Sequence, residues 1–186
     1  MADEVWLVRH GETEWSRDGR HTSTTDLTLT AEGRRVASAL RGRLDATTFA
    51  LVLTSPRERA RETARLAGYA DPEVDDDLAE WDYGDLEGLT SEQIRQTYPG
   101  WTIWDGPWPG GETADQVARR FDRVVARCRA AEGPVLLFSH GHALRVLAAR
   151  WLGLAVAEGR HLSLDTATVS VLGEDRGTPV VLRWNS

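Results

Sequence analysis

Two cationic side chains stand next to each other near the start of the chain, at the end of an apolar run. The segment LVRHGETEW covers residues 7–15, and Arg9 and His10 directly follow its apolar residues. Neighbouring cations repel each other unless an anion lies between them. A phosphoryl group in transfer spreads negative charge over three oxygens and needs fixed cationic donors and an in-line nucleophile. The pair therefore indicates phosphoryl chemistry, with the arginine as a clamp and the imidazole as a candidate nucleophile.

Later segments supply further groups for such an anion. Arg59 lies in SPRERARETA (55–64), near a predicted helix start, where a cation is disfavoured but a bound phosphate is favoured. His140 and the amide of Gly141 follow the apolar run PVLLFS. Flanking arginines lower the pKa of an imidazole, so we expect His10 to be neutral at pH 7 with a free lone pair. Cations then stand where a magnesium ion would, and we expect no metal and no other cofactor.

A leaving alcohol also needs a proton, and the segment LAEWDYGDLEGL (78–89) is rich in carboxylates. Glu80 is followed by Trp81, and an aromatic neighbourhood raises the pKa of a carboxyl group toward that of a general acid. The physics of the sequence alone leaves four alternatives for the proton donor, which are Glu80, Asp82, Asp85 and Glu87.

The composition excludes several other classes of protein. The chain has 186 residues and a net charge of −7, and all 22 of its positive residues are arginines. The lack of lysine excludes Schiff-base lysine chemistry and a Walker-type phosphate site, and the net negative charge argues against a nucleic-acid partner. Cys128 is the single cysteine, so no disulfide can form within the chain. With no long apolar run and no signal-peptide pattern, we expect a cytoplasmic protein without a membrane partner.

The segments that must position these groups alternate between predicted strands and helices. Apolar runs predict buried strands at 5–8, 49–54, 134–139, 166–172 and 179–184. Helical periodicity lies between them, at 31–45, 113–131 and 142–152. The alternation predicts an α/β sandwich around a mostly parallel sheet, formed by one domain over residues 1–186. The candidate residues then meet at the carboxyl edge of the sheet, where ligands bind in such folds.

Capping patterns and one long loop complete the prediction. Helix caps are predicted at Ser55, Thr90 and Thr113. The segment YPGWTIWDGPWPGG (98–111) predicts a long loop within the domain. Two interpretations of its tryptophans stay open. The rings close a small auxiliary core, or Trp101 and Trp104 form an apolar lid over the leaving group.

The motifs together resemble the histidine phosphatase superfamily, in its phosphoglycerate-mutase-like branch. The segments LVRHGETEW, SPRERARETA, LAEWDYGDLEGL and SHGHALR occur in the order of the family and cover the chain from residue 5 to about 172. The resemblance implies a three-layer α/β/α sandwich and a metal-independent phosphomonoesterase that works through a phosphohistidine. The short bacterial acid phosphatases of this branch are the group that the chain is most similar to.

The resemblance also implies a role for each matching residue. His10 is the nucleophile, and Glu80 is the proton donor that later activates water, which decides among the four carboxylates. The phosphate pocket is implied to consist of Arg9, Arg59, His140 and the amide of Gly141.

Several other positions match the substrate pocket of the family less closely. Ser16 stands where relatives often have an asparagine that contacts phosphate, and its hydroxyl can still donate one hydrogen bond. Thr22 and Ser23 fall where relatives line the substrate pocket. His142 lies two residues after His140, but no further metal ligand is assignable, so it is interpreted as a residue at the rim of the pocket.

Other functions on the same fold stay open. Cofactor-dependent phosphoglycerate mutases are longer and carry an insertion with a lysine, which this chain lacks, so a mutase is the second interpretation. A sugar bisphosphatase, such as one acting on sedoheptulose bisphosphate, also fits the segment HTSTTD (21–26). A catalytically inactive phospho-ligand-binding module is disfavoured because all five catalytic residues are present. The expected partners are a small-molecule phosphate ester and, as relatives are often dimers, a second copy of the chain.

Overall fold

One six-stranded sheet forms the centre of the computed structural model, which describes residues 4–186. The strands are β1 (Glu4–Arg9), β2 (Leu51–Thr54), β3 (Glu73–Val74), β4 (Val135–Ser139), β5 (Val169–Asp175) and β6 (Thr178–Arg183). Their order in the sheet is β3-β2-β4-β1-β5-β6. The first four pair in parallel, whereas β5 pairs antiparallel with β1 and with β6. The predicted α/β class with a mostly parallel sheet is confirmed, and all five predicted strands are present.

Helices cover both faces of this sheet. They are α1 (Glu14–Arg17), α2 (Ala31–Ala39), α3 (Arg41–Leu44), α4 (Glu58–Leu66), α5 (Ser91–Thr97), α6 (Ala114–Ala130) and α7 (Gly141–Trp151). Short 3-10 helices lie at Asp76–Leu78, Gly84–Leu86 and Val156–His161. None of the helices among residues 4–186 has the length and apolar character needed to cross a membrane.

Alternate residues of β1 belong to two separate cores, as the two-residue period of a strand requires. Leu7 lies in the core that contains Phe121 of α6 and Leu144 of α7. Val8 lies in the other core, with Leu44 of α3 and Ala64 of α4. A strand that is buried on both faces has a continuous apolar sequence, which explains why the apolar runs predicted the central strands. The result is three layers, with the sheet between two layers of helices.

The helix starts agree with the predicted caps at two of three positions. Thr90 and Thr113 both form complete capping boxes at the starts of α5 and α6. The cap predicted at Ser55 is wrong, because α4 begins three residues later, at Glu58, after an Arg57 N-cap whose side chain makes no capping bond. The hydroxyl of Ser55 is bonded to a ring nitrogen of His140 at 2.7 Å, and it also accepts from the amide of Arg57 at 3.3 Å, before the helix begins. The predicted helix 31–45 is also divided, into α2 and α3.

Candidate active site

The carboxyl ends of β1 and β4 bring together two histidines that are 130 residues apart in sequence. The strands are parallel neighbours, and Arg9 pairs in register with Ser139. The next residues, His10 and His140, therefore leave the sheet at the same level. Their ring centroids lie 5.2 Å apart. The predicted meeting of the two histidines at one edge of the sheet is what the structure shows.

The His10 ring has one nitrogen bound to the backbone and one nitrogen free. Nδ1 lies 2.7 Å from the carbonyl oxygen of Gly11. A carbonyl oxygen only accepts hydrogen bonds, so Nδ1 carries the ring proton and Nε2 keeps its lone pair. Burial lowers the pKa of His10 well below its usual value, and the charges of Arg59 and Arg9 lower it further. The ring is therefore neutral at pH 7 and has a nucleophilic Nε2.

His140 is fully buried, and both of its ring nitrogens have protein partners. The Nε of Arg59 donates to Nδ1 at 3.2 Å, and Nε2 lies 2.7 Å from the hydroxyl oxygen of Ser55. A guanidinium only donates, so the proton of the neutral ring is on Nε2 and is shared with Ser55. Burial lowers the pKa of His140 well below its usual value, with Arg59 as the next cause. A contact between phosphate and Nε2 of His140 would have to exchange with the bond to Ser55.

Arg9 lines the cavity next to His10 and lies against the start of α7. Its Nη1 donates to the carbonyl oxygen of Leu164 at 2.5 Å, whereas its Nε is buried and has no partner among residues 4–186. A Cβ atom at Gly141 would lie 3.3 Å from the Arg9 guanidinium, so glycine leaves room for this close approach. Unpaired buried donors cost free energy. An oxygen of a bound anion would satisfy this donor.

Arg59 lies behind His10, with no exposed surface. It donates hydrogen bonds to backbone carbonyl oxygens at 3.0–3.2 Å, those of Thr22, Ser23 and Thr25. Among residues 4–186, neither Arg59 nor Arg9 forms an ion pair with a carboxylate. Burial is the main cause that lowers the pKa of both groups. Both guanidinium groups are held by neutral acceptors, namely carbonyl oxygens and, for Arg59, also Nδ1 of His140, so their positive charges are available to an anion.

Glu80 lines the same cavity and is 7% exposed. Its carboxyl oxygens accept backbone N–H groups of Trp81 at 2.8 Å, His142 at 3.1 Å and Ala143 at 2.8 Å. Burial raises the pKa of Glu80, although these three hydrogen bonds act in the opposite direction. A carboxyl group with a raised pKa, open to a cavity that holds a nucleophile, suits proton donation to a leaving group.

Arg120 on α6 holds the segment that carries Glu80. Sequence reasoning missed this role of Arg120. Its Nη1 donates to the carbonyl oxygens of Asp77 and Ala79 at 2.7 and 2.8 Å, and its Nη2 donates to that of Glu80 at 3.4 Å. Its charge is balanced by Glu112, at 2.6 Å. One mostly buried ion pair therefore positions the backbone on which Glu80 stands.

The cavity has a volume of about 270 Å³. Six of the predicted site residues line it, namely Arg9, His10, Ser16, Thr22, Glu80 and Gly141. It is also lined by polar side chains that were not predicted to contact substrate, namely Arg20, His21, Tyr83, Ser91 and Arg145, and by His142, which was expected at the rim. Among residues 4–186, no group of three or more His, Cys, Asp or Glu side chains is placed to hold a metal ion.

The three predicted hydroxyl groups have different positions. Ser16 lines the cavity, but its hydroxyl donates to the carbonyl oxygen of Thr13 at 3.0 Å as part of the α1 cap. Thr22 lines the cavity. Ser23 is 1% exposed and does not line the cavity, because its hydroxyl and amide are both bound by the carboxylate of Glu87. Of the three hydroxyl groups, that of Ser23 is therefore the one that the structure places outside the cavity wall.

The tryptophans of the loop do not cover the cavity. Trp101 and Trp104 are 2% and 8% exposed, and neither lines it. Each instead packs edge-on against a histidine that does, Trp101 against His21 at 5.2 Å and Trp104 against His142 at 5.4 Å between ring centroids. The lid interpretation is wrong for these two rings, since burying their apolar surface in the core is more favourable than exposing it over the site. Both rings belong to the same core as Leu7 and Phe121, so they do not form a separate auxiliary core either.

Comparisons with known proteins agree with this geometry. A family model described as the histidine phosphatase superfamily (branch 1) matches residues 5–186. An acid phosphatase of Mycobacterium tuberculosis is 43% identical over 176 residues, which cover 92% of this chain and 86% of that protein. A sedoheptulose 1,7-bisphosphatase of Saccharomyces cerevisiae is 38% identical over 183 residues, with coverage of 81% and 68%. The solved structure of the Mycobacterium tuberculosis open reading frame Rv3214 has a TM-score of 0.95 at 39% identity, and the match covers 100% of this chain and 98% of that one.

Proposed function

The chain belongs to branch 1 of the histidine phosphatase superfamily, and we propose that it hydrolyses phosphate monoesters of small molecules through a phosphohistidine. One observation carries the proposal. The guanidinium groups of the half-buried Arg9 and the buried Arg59 act on the neutral, nucleophilic His10 and have no carboxylate partner among residues 4–186. The cavity of about 270 Å³ lies below the roughly 300–1,000 Å³ of drug-sized ligand sites, which suits a compact ester.

In the first step, Nε2 of His10 attacks the phosphorus atom, and the bond from phosphorus to the leaving oxygen breaks. Arg9 and the amide of Gly141, which line the cavity, donate to the oxygens on which the negative charge is concentrated, and the buried Arg59, which does not line it, adds its positive charge. The protonated carboxyl group of Glu80 gives its proton to the leaving oxygen. The products are a phosphohistidine, a neutral alcohol and an ionised Glu80.

In the second step, water attacks the phosphohistidine from the side that the alcohol has left. The ionised Glu80 takes one proton of the water, and the bond between phosphorus and Nε2 breaks. Nε2 of His10 recovers its lone pair, inorganic phosphate leaves, and Glu80 is protonated again. The resting state of both residues is restored without any further reactant.

Two observations favour hydrolysis over transfer. The chain contains no lysine, whereas the mutases that it resembles hold the substrate carboxylate with a lysine on an inserted segment. The proteins that are 43% and 38% identical to it are named as phosphatases. A mutase function is therefore not favoured.

A panel of phosphate esters tests the proposal directly. Alkyl, aryl and sugar phosphates are incubated with the protein while released phosphate is measured, beside a mutase assay on 3-phosphoglycerate with and without 2,3-bisphosphoglycerate. We expect phosphate release that is abolished in His10→Ala and retained in His161→Ala, a matched change at an exposed histidine. Turnover in the mutase assay alone would contradict the proposal.

A further inference from the structure

A short loop between α1 and α2 separates a carboxylate from a guanidinium group. Residues 22–25 form this loop, and it donates N–H groups to Glu87 and accepts from Arg59 through its carbonyl oxygens. We propose that Glu87 is a positioning residue, which sets the orientation of Arg59 through the loop 22–25 without contacting the substrate. The inference rests on the proposed phosphatase function, because it concerns how one arginine of the phosphate site is held in place.

Glu87 binds the loop 22–25 through three donor groups. Both of its carboxylate oxygens accept from the amide of Ser23 at 2.9 Å, and Oε1 also accepts from the amide of Thr25 at 3.0 Å. The hydroxyl of Ser23 donates to Oε2. Hydrogen bonds to a carboxylate are about twice as strong as those between neutral groups. Glu87 therefore fixes the backbone of the loop at two of its residues.

The segment that carries Glu87 is itself fixed against the residue that precedes the loop. The amide of His21 donates to the carbonyl oxygen of Leu89 at 2.9 Å, and the amide of Gly88 donates to that of His21 at 2.8 Å. Gly88 has a φ of 78°, and a Cβ atom there would lie 3.0 Å from the Trp15 ring, so this turn requires glycine. The backbone thus holds Glu87 at a defined position beside the loop.

The other side of the loop holds the guanidinium group of Arg59. Nη1 donates to the carbonyl oxygen of Thr25 at 3.0 Å, and Nη2 donates to those of Thr22 and Ser23 at 3.2 Å each. With both terminal nitrogens bound to the loop, Nε donates to Nδ1 of His140 at 3.2 Å. Two of the three loop residues also donate their N–H groups to the carboxylate on the opposite side. A displacement of the loop therefore displaces the guanidinium plane and its bond to His140.

Glu87 lies outside the cavity, in contrast to Glu80. Of the four carboxylates considered as proton donors, Glu80 is the one that lines the cavity. Glu87 is therefore not placed to protonate a leaving group. The arginine that it positions acts on the phosphoryl group, which every ester shares, and on His10, whose pKa the charge of Arg59 lowers. The loss of Glu87 should thus affect all esters alike, whereas the loss of a proton donor depends on the leaving group.

Two esters with different leaving groups test this role. In Glu87→Gln, an NH₂ group replaces one of the oxygens that the loop donates to, so we expect kcat/KM to fall about 10- to 100-fold through misplacement of Arg59. The loss should be the same for butyl phosphate and for 4-nitrophenyl phosphate, whose leaving group needs no proton. Asp85→Asn, at an exposed carboxylate two residues earlier, is the matched control and should keep the wild-type value. A clearly larger loss for butyl phosphate would overturn the inference.

A double-mutant cycle shows whether the effect passes through Arg59. In an Arg59→Met background, the further change Glu87→Gln should alter kcat/KM by less than about twofold, because the group that Glu87 positions is already absent. A loss as large as in the wild-type background would indicate a general structural role and overturn the inference.

A milder substitution keeps the test valid if Arg59→Met does not fold. Ser23→Ala removes one donor to Glu87 and leaves the amide bonds in place. It should lower kcat/KM less than Glu87→Gln does, and by the same factor for both esters. Different factors for the two esters would contradict the positioning role.

Binding of inorganic phosphate separates this inference from the proposed function, because it needs no turnover. By calorimetry, we expect the Kd for phosphate to rise about tenfold in Glu87→Gln and to stay unchanged in Asp85→Asn. If the wild-type protein hydrolyses no ester but phosphate affinity depends on Glu87 in this way, the phosphatase proposal fails and the positioning role stands. If esters are hydrolysed and Glu87→Gln changes neither kcat/KM nor phosphate affinity, the positioning role is overturned and the phosphatase proposal stands.

Discussion

Nδ1 of His10 lies 2.7 Å from the carbonyl oxygen of Gly11, and this bond leaves Nε2 as the ring nitrogen with the free lone pair. The same backbone unit is tied to α4. The amide of Gly11 donates to the hydroxyl of Thr63 at 2.9 Å, and that hydroxyl donates to the carbonyl oxygen of Arg59 at 2.7 Å. Thr63 thus holds the backbone next to His10 in a fixed position relative to α4, the helix that carries Arg59.

Replacing Thr63 with valine should therefore lower both stability and activity. The change keeps the shape but leaves the buried amide of Gly11 without an acceptor, which costs about 1–3 kcal/mol. Urea unfolding and kcat/KM on one ester measure the two effects. Thr63→Ser keeps the hydroxyl and should retain most of the activity. A Thr63→Val variant with wild-type kcat/KM would show that the bond does not position His10.

Replacing Glu80 with glutamine should affect esters according to their leaving group. A general acid contributes about 10²- to 10⁴-fold, so kcat/KM for an alkyl phosphate should fall by that order. The nitrophenolate of 4-nitrophenyl phosphate leaves without a proton, so its kcat/KM should fall much less. Asp85→Asn, an exposed carboxylate of the same segment, is the control. Equal losses for both esters would contradict proton donation by Glu80.

The pH profile should report the same carboxyl group. Burial raises the pKa of Glu80, and its protonated form is the active one in the first step. For an alkyl phosphate, kcat/KM should therefore decline as the pH rises through this raised pKa, and the decline should be absent in Glu80→Gln. An alkaline decline that is identical in the variant would assign it to another group.

Arg120 and Arg123 lie on the same helix and allow a matched test of how the Glu80 segment is held. Replacing Arg120 with methionine removes the mostly buried partner of Glu112 and should cost about 3 kcal/mol or more of unfolding free energy. Arg123→Met removes a pair with Asp77 in which the arginine is exposed, so it should lower the unfolding free energy much less. Urea unfolding measures both. Arg120→Met should also lower kcat/KM more for an alkyl phosphate than for 4-nitrophenyl phosphate, as Glu80→Gln does. Equal stability losses in the two methionine variants would contradict the role of Arg120 in holding the Glu80 segment.

Histidines that are buried in their neutral form should make the protein less stable in mild acid, because they bind protons only after the chain unfolds. The pKa values of His10, His140 and His142 are lowered by burial, so below the usual value near 6.5 the unfolded chain binds protons that the folded chain does not. Their effect is that the free energy of unfolding falls as the pH falls from 7.5 to 5. The raised pKa of Glu80 acts in the opposite direction over this range. The contribution of Glu80 is the same in His142→Gln, so a comparison with this variant removes it. As the pH falls, the variant should lose less stability than the wild type, and an equal loss would contradict the contribution of His142.

The sequence predicted the residues at the strand ends better than those in loops. Arg9, His10 and His140 follow apolar runs that are buried on both faces of the sheet, so their place at its edge follows from the strand pattern. The position of Ser23 depends on Glu87, which is 64 residues away, and no local pattern reveals that contact. Strand β3 was missed because its two residues are exposed and form no apolar run.

Two site residues left weak signals that could have been used. Arg120 lies three residues after Val117 and four before Val124, on the apolar stripe of α6, and a charged residue on a buried stripe indicates a paired structural role. Arg145 lies one helical turn after His142 and is the last residue of the segment SHGHALR (139–145). The sequence of the tryptophan loop, residues 98–111, does not indicate whether its rings are buried, since buried and exposed tryptophans occur in similar loop sequences.

Trapping the covalent intermediate tests the central claim most directly. The protein is mixed with a ³²P-labelled ester, quenched in alkali within milliseconds to seconds, digested, and searched for labelled peptides. We predict phosphate on Nε2 of His10 that is stable in alkali and lost in acid, and that is absent from His10→Ala but present in the matched variant His161→Ala. Rapid ester hydrolysis without any label on His10, or with the label on another residue, would contradict the account.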